Sequence, residues 1–116
     1  MRKAIGTGLA ALFLSAQALA ETQFGVEVYP GAKADAKATA QIRKAMKLDG
    51  QFYRTGDSVE KVTAFYRKQP LKEMPGADKA GAAFSGKGVM VTIQNPWMDM
   101  ESGKINKDTL LSIVKQ

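Results

Sequence analysis

The fold is decided by Asp57-Ser58-Val59-Glu60-Lys61-Val62-Thr63-Ala64-Phe65-Tyr66-Arg67-Lys68-Gln69. Val59, Val62, Phe65 and Tyr66 recur at the spacing that gathers side chains on one stripe of a 3.6-residue period, so the stretch predicts an amphipathic helix. Asp57 followed by Glu60 three residues on has the form of a capping box, with the Asp57 carboxylate accepting from the free N–H groups of the first turn. Asp57 and Lys61 stand four apart with the acid first, the better order for a helix ion pair. Arg67 and Lys68 fall in the last turn, where cations are favoured, and Pro70 closes the segment by disfavouring helical geometry at Gln69.

Short strand-like runs lie on both sides of this helix. Phe24–Tyr29 alternates, with Phe24, Val26 and Val28 on one side, and Pro30-Gly31 ends it with a turn. A Tyr-Pro-Gly sequence can line a binding site, but its turn chemistry favours the plain reading of a strand end. Residues 32–47 are rich in alanine and lysine and predict a second helix with a thin apolar stripe of Ala38, Ile42, Ala45 and Met46, hence a peripheral one, ended by a turn at Asp49-Gly50. Gln51–Thr55 predicts a strand and residues 70–80 a loop. Gly81–Phe84 and Val89–Gln94 predict strands joined by a turn over Ser85-Gly86-Lys87-Gly88, and Asn95-Pro96 stops the second. Residues 97–107 read as a long connection, and the β-branched residues of Thr109–Val114 favour a last strand over a short helix. The expectation is an α+β domain over residues 21–116: an antiparallel sheet of four or five strands, one central amphipathic helix packed on a face, and a peripheral Ala-rich helix. Its expected core is Val26, Val28, Phe52, Val59, Val62, Phe65, Tyr66, Phe84, Val89, Val91, Ile93, Leu111 and Ile113.

Residues 1–20 read as a signal peptide. Arg2 and Lys3 form a basic start, Ala4–Leu14 is apolar but shorter than the ~20 residues of a membrane span, and Ala18-Leu19-Ala20 is a cleavage site. The small residues at that site favour cleavage after Ala20 over a retained anchor, which places the mature chain in the periplasm or outside the cell. Loss of Arg2 and Lys3 takes the net charge from +6 to +4, a mild cationic bias. Export argues against nucleic acid as a partner. The cations of residues 32–47 could meet anionic headgroups, yet the absence of Trp or Phe on that helix argues against peripheral membrane contact.

The quoted motifs also carry a resemblance. Val28-Tyr29-Pro30-Gly31-Ala32, followed by Tyr53-Arg54-Thr55, Asp57-Ser58-Val59, Val62 and Phe65-Tyr66, resembles a group of small exported bacterial proteins of unassigned function. In that group a Tyr-Pro-Gly-Ala strand end precedes an Asp-Ser-Val-x-x-Val-x-x-Phe-Tyr helix and further strands. The resemblance implies the architecture and export, and it implies no catalytic residue.

The chain contains no histidine and no cysteine, which removes the usual general base, the commonest metal ligand and all thiol chemistry. Ser58, Ser85, Ser102 and Ser112 have no histidine to activate them. Asp99 and Glu101 flank Met100 but are a thin set for a hard cation. No catalytic residue and no cofactor is expected, and the leading reading is a non-enzymatic binding or interaction module for an envelope protein or a small ligand. Its surface would be the exposed sheet face or the Asn95–Met100 loop. One alternative is a soft-metal protein for Cu(I) or Ag(I): Trp97, Met98 and Met100 bring two thioethers beside the single tryptophan, with Met74 or Met90 needed as a further ligand. The competing reading of the same residues is a core edge or an apolar loop contact. Another alternative, a small hydrolase or lyase, requires a deep pocket with two close carboxylates. The pattern does not fix the oligomeric state.

Overall fold

The computed structural model describes residues 21–116. The signal peptide expected over residues 1–20 lies outside the described residues. The chain is α+β, built on a six-stranded antiparallel sheet with a helix on each face. Along the sheet the strands run β3 (Lys33–Ala34), β4 (Gly50–Thr55), β10 (Thr109–Lys115), β7 (Val89–Gln94), β6 (Gly81–Gly86) and β5 (Lys72–Glu73). The last strand in sequence is therefore central. Leu111 lies opposite Tyr53 on one side and Ile93 on the other, and Ile113 opposite Gln51 and Val91.

Helix α2 (Val59–Arg67) covers one face. Its Val59, Val62 and Tyr66 are buried against Phe84, Val89, Val91, Ile93, Leu111 and Ile113, together with Val26 and Val28. These belong to the expected core, and Tyr53 and Ala82 join them. Phe65 is only half-buried, stacked edge-on against Tyr29 and Tyr66 at the margin of the stripe. Helix α1 (Ala36–Met46) packs on the opposite face through Ala38, over Phe52, Leu110 and Trp97. It is thus a layer over half the sheet and not merely peripheral. Adjacent residues of β4 and β10 point into different cores, so Phe52 and Tyr53, and Leu110 and Leu111, are all buried.

The sheet has six strands and not four or five because two-residue strands finish both edges. β3 pairs Lys33 with Arg54, and β5, within the stretch expected to be loop, pairs Lys72 with Ser85. Strands this short carry no readable alternation, and ending each edge in a lysine discourages pairing with another chain. Beyond β3, the edge of β4 is closed by Thr39 of α1, whose Oγ1 accepts the Phe52 N–H at 2.9 Å.

Three local expectations are corrected. Phe24–Tyr29 is not one strand but contributes to a small hairpin, β1 (Thr22–Gln23) with β2 (Val26–Glu27), turned by Phe24 and Gly25 at φ 52° and 82°. Positive φ at both central residues matches the twist of a two-residue hairpin. Helix α1 ends at Lys47, which takes the left-handed conformation at φ 55°, and Gly50 belongs to β4 instead of a turn. The cap of α2 is Ser58, whose Oγ accepts from Lys61 N–H at 3.2 Å. Ser58 puts Lys61 at the third helical position, so Glu60 is one residue short of a capping box. The Asp57 carboxylate instead accepts the Tyr29 hydroxyl at 2.5 Å and makes no ion pair with Lys61.

That contact docks the N-terminal segment. Pro30-Gly31 makes the expected turn, with Ala32 N–H donating to Tyr29 C=O at 3.1 Å and Gly31 at φ 85°. The Tyr66 hydroxyl accepts from Tyr29 N–H at 3.0 Å and donates to Glu27 C=O at 2.8 Å. Burial holds the Tyr66 phenol well above its ordinary pKa, and the hydrogen bond to Asp57 raises that of Tyr29. The Tyr-Pro-Gly motif is spent on packing and hydrogen bonding, and it leaves no free functional group.

Candidate functional site

The stretch expected as a long connection folds as a second small hairpin, β8 (Trp97–Met98) with β9 (Ile105–Asn106), after a cis Asn95–Pro96 peptide. Its turn is organised by Asp99, whose Oδ1 accepts from the backbone N–H groups of Glu101 and Ser102 at 2.8 and 3.1 Å. Those two N–H groups, with Lys37 nearby, hold the Asp99 carboxyl below its ordinary value. The other carboxylate oxygen faces Lys37 of α1 at 3.8 Å, and Glu101 faces the same ammonium at 3.5 Å. These exposed pairs contribute little energy but set the hairpin tip beside the helix.

The base of the hairpin is fixed more firmly. Arg54 of β4 grips Asp108 with Nε at 2.7 Å and Nη2 at 3.2 Å, and its Nη1 reaches Asp35 at 3.4 Å. Asp35 is itself the cap of α1, accepting from Ala38 N–H at 2.9 Å. The Trp97 indole N–H donates to Asp108 at 3.0 Å, and the Arg54 guanidinium lies 5.0 Å from the ring centroid. Burial pushes the Asp108 carboxyl up, but hydrogen bonds from Arg54 and Trp97 outweigh it, so Asp108 sits below its ordinary value. One arginine thereby ties together the start of α1, the sheet and the tryptophan.

Above this latch lies a groove of about 210 Å³. Ala38 and Ile42 of α1 form one wall, Phe52 and Leu110 the floor, and Trp97, Met98 and Met100 the other wall. Gln41 and Gln94 are its polar residues. The five large apolar side chains that stand exposed among the described residues are Met46 (58%), Leu48 (37%), Met98 (56%), Met100 (56%) and Ile105 (52%). All five belong to α1 with the residues after it, or to the β8–β9 hairpin, the two elements that wall the groove. Met46 continues the stripe of Ala38 and Ile42 one turn beyond the sheet, which explains why only Ala38 of that stripe is buried.

The structure brings the three sequence-predicted residues together along this groove but in unequal roles. Trp97 is 6% exposed and belongs to the second core, whereas Met98 and Met100 are open to solvent. Neither suggested further thioether joins them. Met74 accepts from the Ser85 hydroxyl at 3.7 Å, and Met90 lies on β7 outside the groove. Two other openings carry two carboxylates each: one of about 540 Å³ where Asp35 and Asp108 flank Arg54, and one of about 370 Å³ lined by Glu60 and Asp78 with Arg67 and Lys79. In the first, both carboxylates face the same guanidinium, Asp108 at 2.7 Å and Asp35 at 3.4 Å. Sequence reasoning missed Arg54, Asp108 and Asp35 because their meeting depends on β3, β4 and β10 becoming neighbours.

Compared with protein-family models, with curated proteins and with solved structures, the chain matches none.

Proposed function

We propose that the protein is an exported, non-enzymatic binding module of the cell envelope and that it receives an apolar side chain of a partner protein in the groove between α1 and the β8–β9 hairpin. The observation that carries this reading is that, among the described residues, every exposed large apolar side chain lies on or just after the two elements walling that groove, with Met98 and Met100 in its wall. Apolar surface concentrated beside a concavity marks an interaction site, whereas scattered residues would need no explanation. Methionine is suited to such a wall because its flexible, polarisable side chain adapts to different guests. The groove's size decides between guests: about 210 Å³ falls below the ~300–1,000 Å³ of sites that enclose drug-sized ligands. It suits one buried anchor of the kind that dominates protein interfaces. The resemblance to small exported bacterial proteins supports the envelope location and is silent on the partner.

The soft-metal alternative draws support from the nearness of Met98, Met100 and Trp97. It has less behind it, since two thioethers are a sparse set for Cu(I) and the Trp97 ring is already shared with the Arg54 cation. A hydrolase or lyase reading also has less behind it, since Asp35 and Asp108 are both engaged by Arg54 and the opening with Glu60 and Asp78 is shared with Arg67 and Lys79.

The test uses the full mature chain with ¹³C-methyl methionine and N-acetyl-phenylalanine amide as an anchor mimic. Titration is expected to move the Met98 and Met100 methyl signals and leave Met74 in place. Equal shifts at all methionines, or none at millimolar mimic, would refute the groove.

A further inference from the structure

We infer that the groove's partner is an acidic protein segment that inserts one apolar side chain between flanking carboxylates. This rests on the binding reading above and names the partner's chemistry. α1 and the residues after it carry Lys37, Arg43, Lys44 and Lys47 against the single acid Asp49. The hairpin and the residue after it carry Lys104 and Lys107 against Asp99 and Glu101. The three acids are already engaged: Lys37 faces Asp99 and Glu101, and Arg43 faces Asp49 at 3.8 Å. Lys44, Lys47, Lys104 and Lys107 thus form no ion pair among the described residues. Four free ammonium groups therefore stand on or directly after the two elements that present the exposed methionines, Lys44 on the side of α1 that lines a separate opening with Ala40, Arg43 and Gln51. Such a surface attracts a partner with the complementary sign and selects against basic ones.

The same features argue against other occupants. A second copy would bring four more unpaired lysines to the same contact, so a symmetric dimer through this face is opposed by like charge. A bilayer is flat on this scale and would leave the groove unfilled. The protruding residues also include neither Trp nor Phe, since Trp97 is turned into the core.

The probe is the acetylated amide peptide Glu-Glu-Phe-Leu-Glu-Glu, compared with versions in which glutamine or lysine replaces every glutamate. Binding is read from the Met98 and Met100 methyl signals. At low ionic strength the glutamate peptide is expected to bind about tenfold more tightly than the glutamine one, with the gap closing in about 0.3 M salt. The lysine peptide is expected to bind weakest. The double variant Lys44→Gln/Lys47→Gln, both exposed positions, is expected to lose several-fold affinity for the glutamate peptide and none for the glutamine peptide. Equal binding of the glutamate and glutamine peptides would overturn the acidic partner while leaving the groove reading intact. No shift with any peptide would overturn both. Burial of Met98 and Met100 in vesicles of anionic phospholipid, with no response to peptide, would replace the protein partner with a membrane surface.

Discussion

Removal of the Asp108 carboxylate tests whether the Arg54 latch holds the groove in place. In Asp108→Ala, Arg54 loses both arms of its main grip, at 2.7 and 3.2 Å, and the buried Trp97 N–H loses its only acceptor. The Arg54–Asp108 pair is partly open, with side chains 39% and 27% exposed, so its share belongs near the upper end of the surface-pair range, about 1 kcal/mol. Leaving a buried indole N–H without a partner adds about 1–2 kcal/mol. The sum for Asp108→Ala is about 2–3 kcal/mol. Asp108→Asn keeps Oδ1 as the acceptor for Trp97 and Arg54 Nη2 but loses the charge and the acceptor for Arg54 Nε–H, so about 1 kcal/mol is expected.

Urea unfolding followed by the fluorescence of the single tryptophan measures both variants, with far-UV circular dichroism as a second probe to check two-state behaviour. Asp108→Ala is expected to lose at least twice as much stability as Asp108→Asn. It is also expected to red-shift the native Trp97 emission and to weaken the response of Met98 and Met100 to N-acetyl-phenylalanine amide. Equal, small losses of under about 0.5 kcal/mol in both variants, with unchanged emission, would refute the latch and make the network an ordinary solvated surface cluster.

Three further outcomes follow from the same geometry. Tyr66→Phe strands the Tyr29 N–H and the Glu27 C=O at the edge of the core and should cost about 2 kcal/mol, measured by the same unfolding assay; a neutral result would mean that water replaces the hydroxyl. Lys87→Asn should stabilise the chain by about 0.5 kcal/mol, because Lys87 sits at φ 54° beside Gly88 in a two-residue hairpin turn and asparagine tolerates that conformation better. Acid should weaken the latch. The Asp108 carboxyl is depressed in the folded state, so its contribution is complete above the unfolded value of about 3.9 and is lost as pH falls through the lower folded value. The loss of stability between pH 5 and pH 2 should accordingly be smaller in Asp108→Asn than in the parent, which a urea titration at each pH will show.

Much of the fold was legible because its main elements obey a single period. The stripe of α2, the alternation of β7 and the β-branched run of β10 each announce themselves, and the structure places all three at the centre. What escaped was whatever depended on a second core. A sequence that reads Phe52-Tyr53 or Leu110-Leu111 offers no alternation, since both neighbours are buried when helices cover both faces. The two-residue edge strands carry no pattern at all. The cap of α2 was misplaced by one residue because Asp57 and Ser58 are both good caps; only the position of Tyr29, far away in sequence, decides that the carboxylate is needed elsewhere.

The candidate site was legible in part for a related reason. Met98 and Met100 stood out by residue type, and their exposure gives that signal a surface to act on. The other wall of the groove was also visible, as a thin stripe on α1, but thinness reads as weak packing when a helix is considered alone. In the folded chain Ala38 and Ile42 meet the Phe52–Leu110 floor, whereas Met46, at the end of the stripe, is exposed. An amphipathic helix that outlasts its support leaves apolar surface which its own chain does not cover. Helix α1 also carries no acid of its own: Lys37 and Arg43 find carboxylates outside it, and Lys44 and the capping Lys47 find none among the described residues. Unfilled apolar surface and unbalanced positive charge on one helix would be two separate costs in an isolated protein. An acidic partner with an apolar anchor relieves both in one contact, and that economy is the physical reason for looking for it on this face.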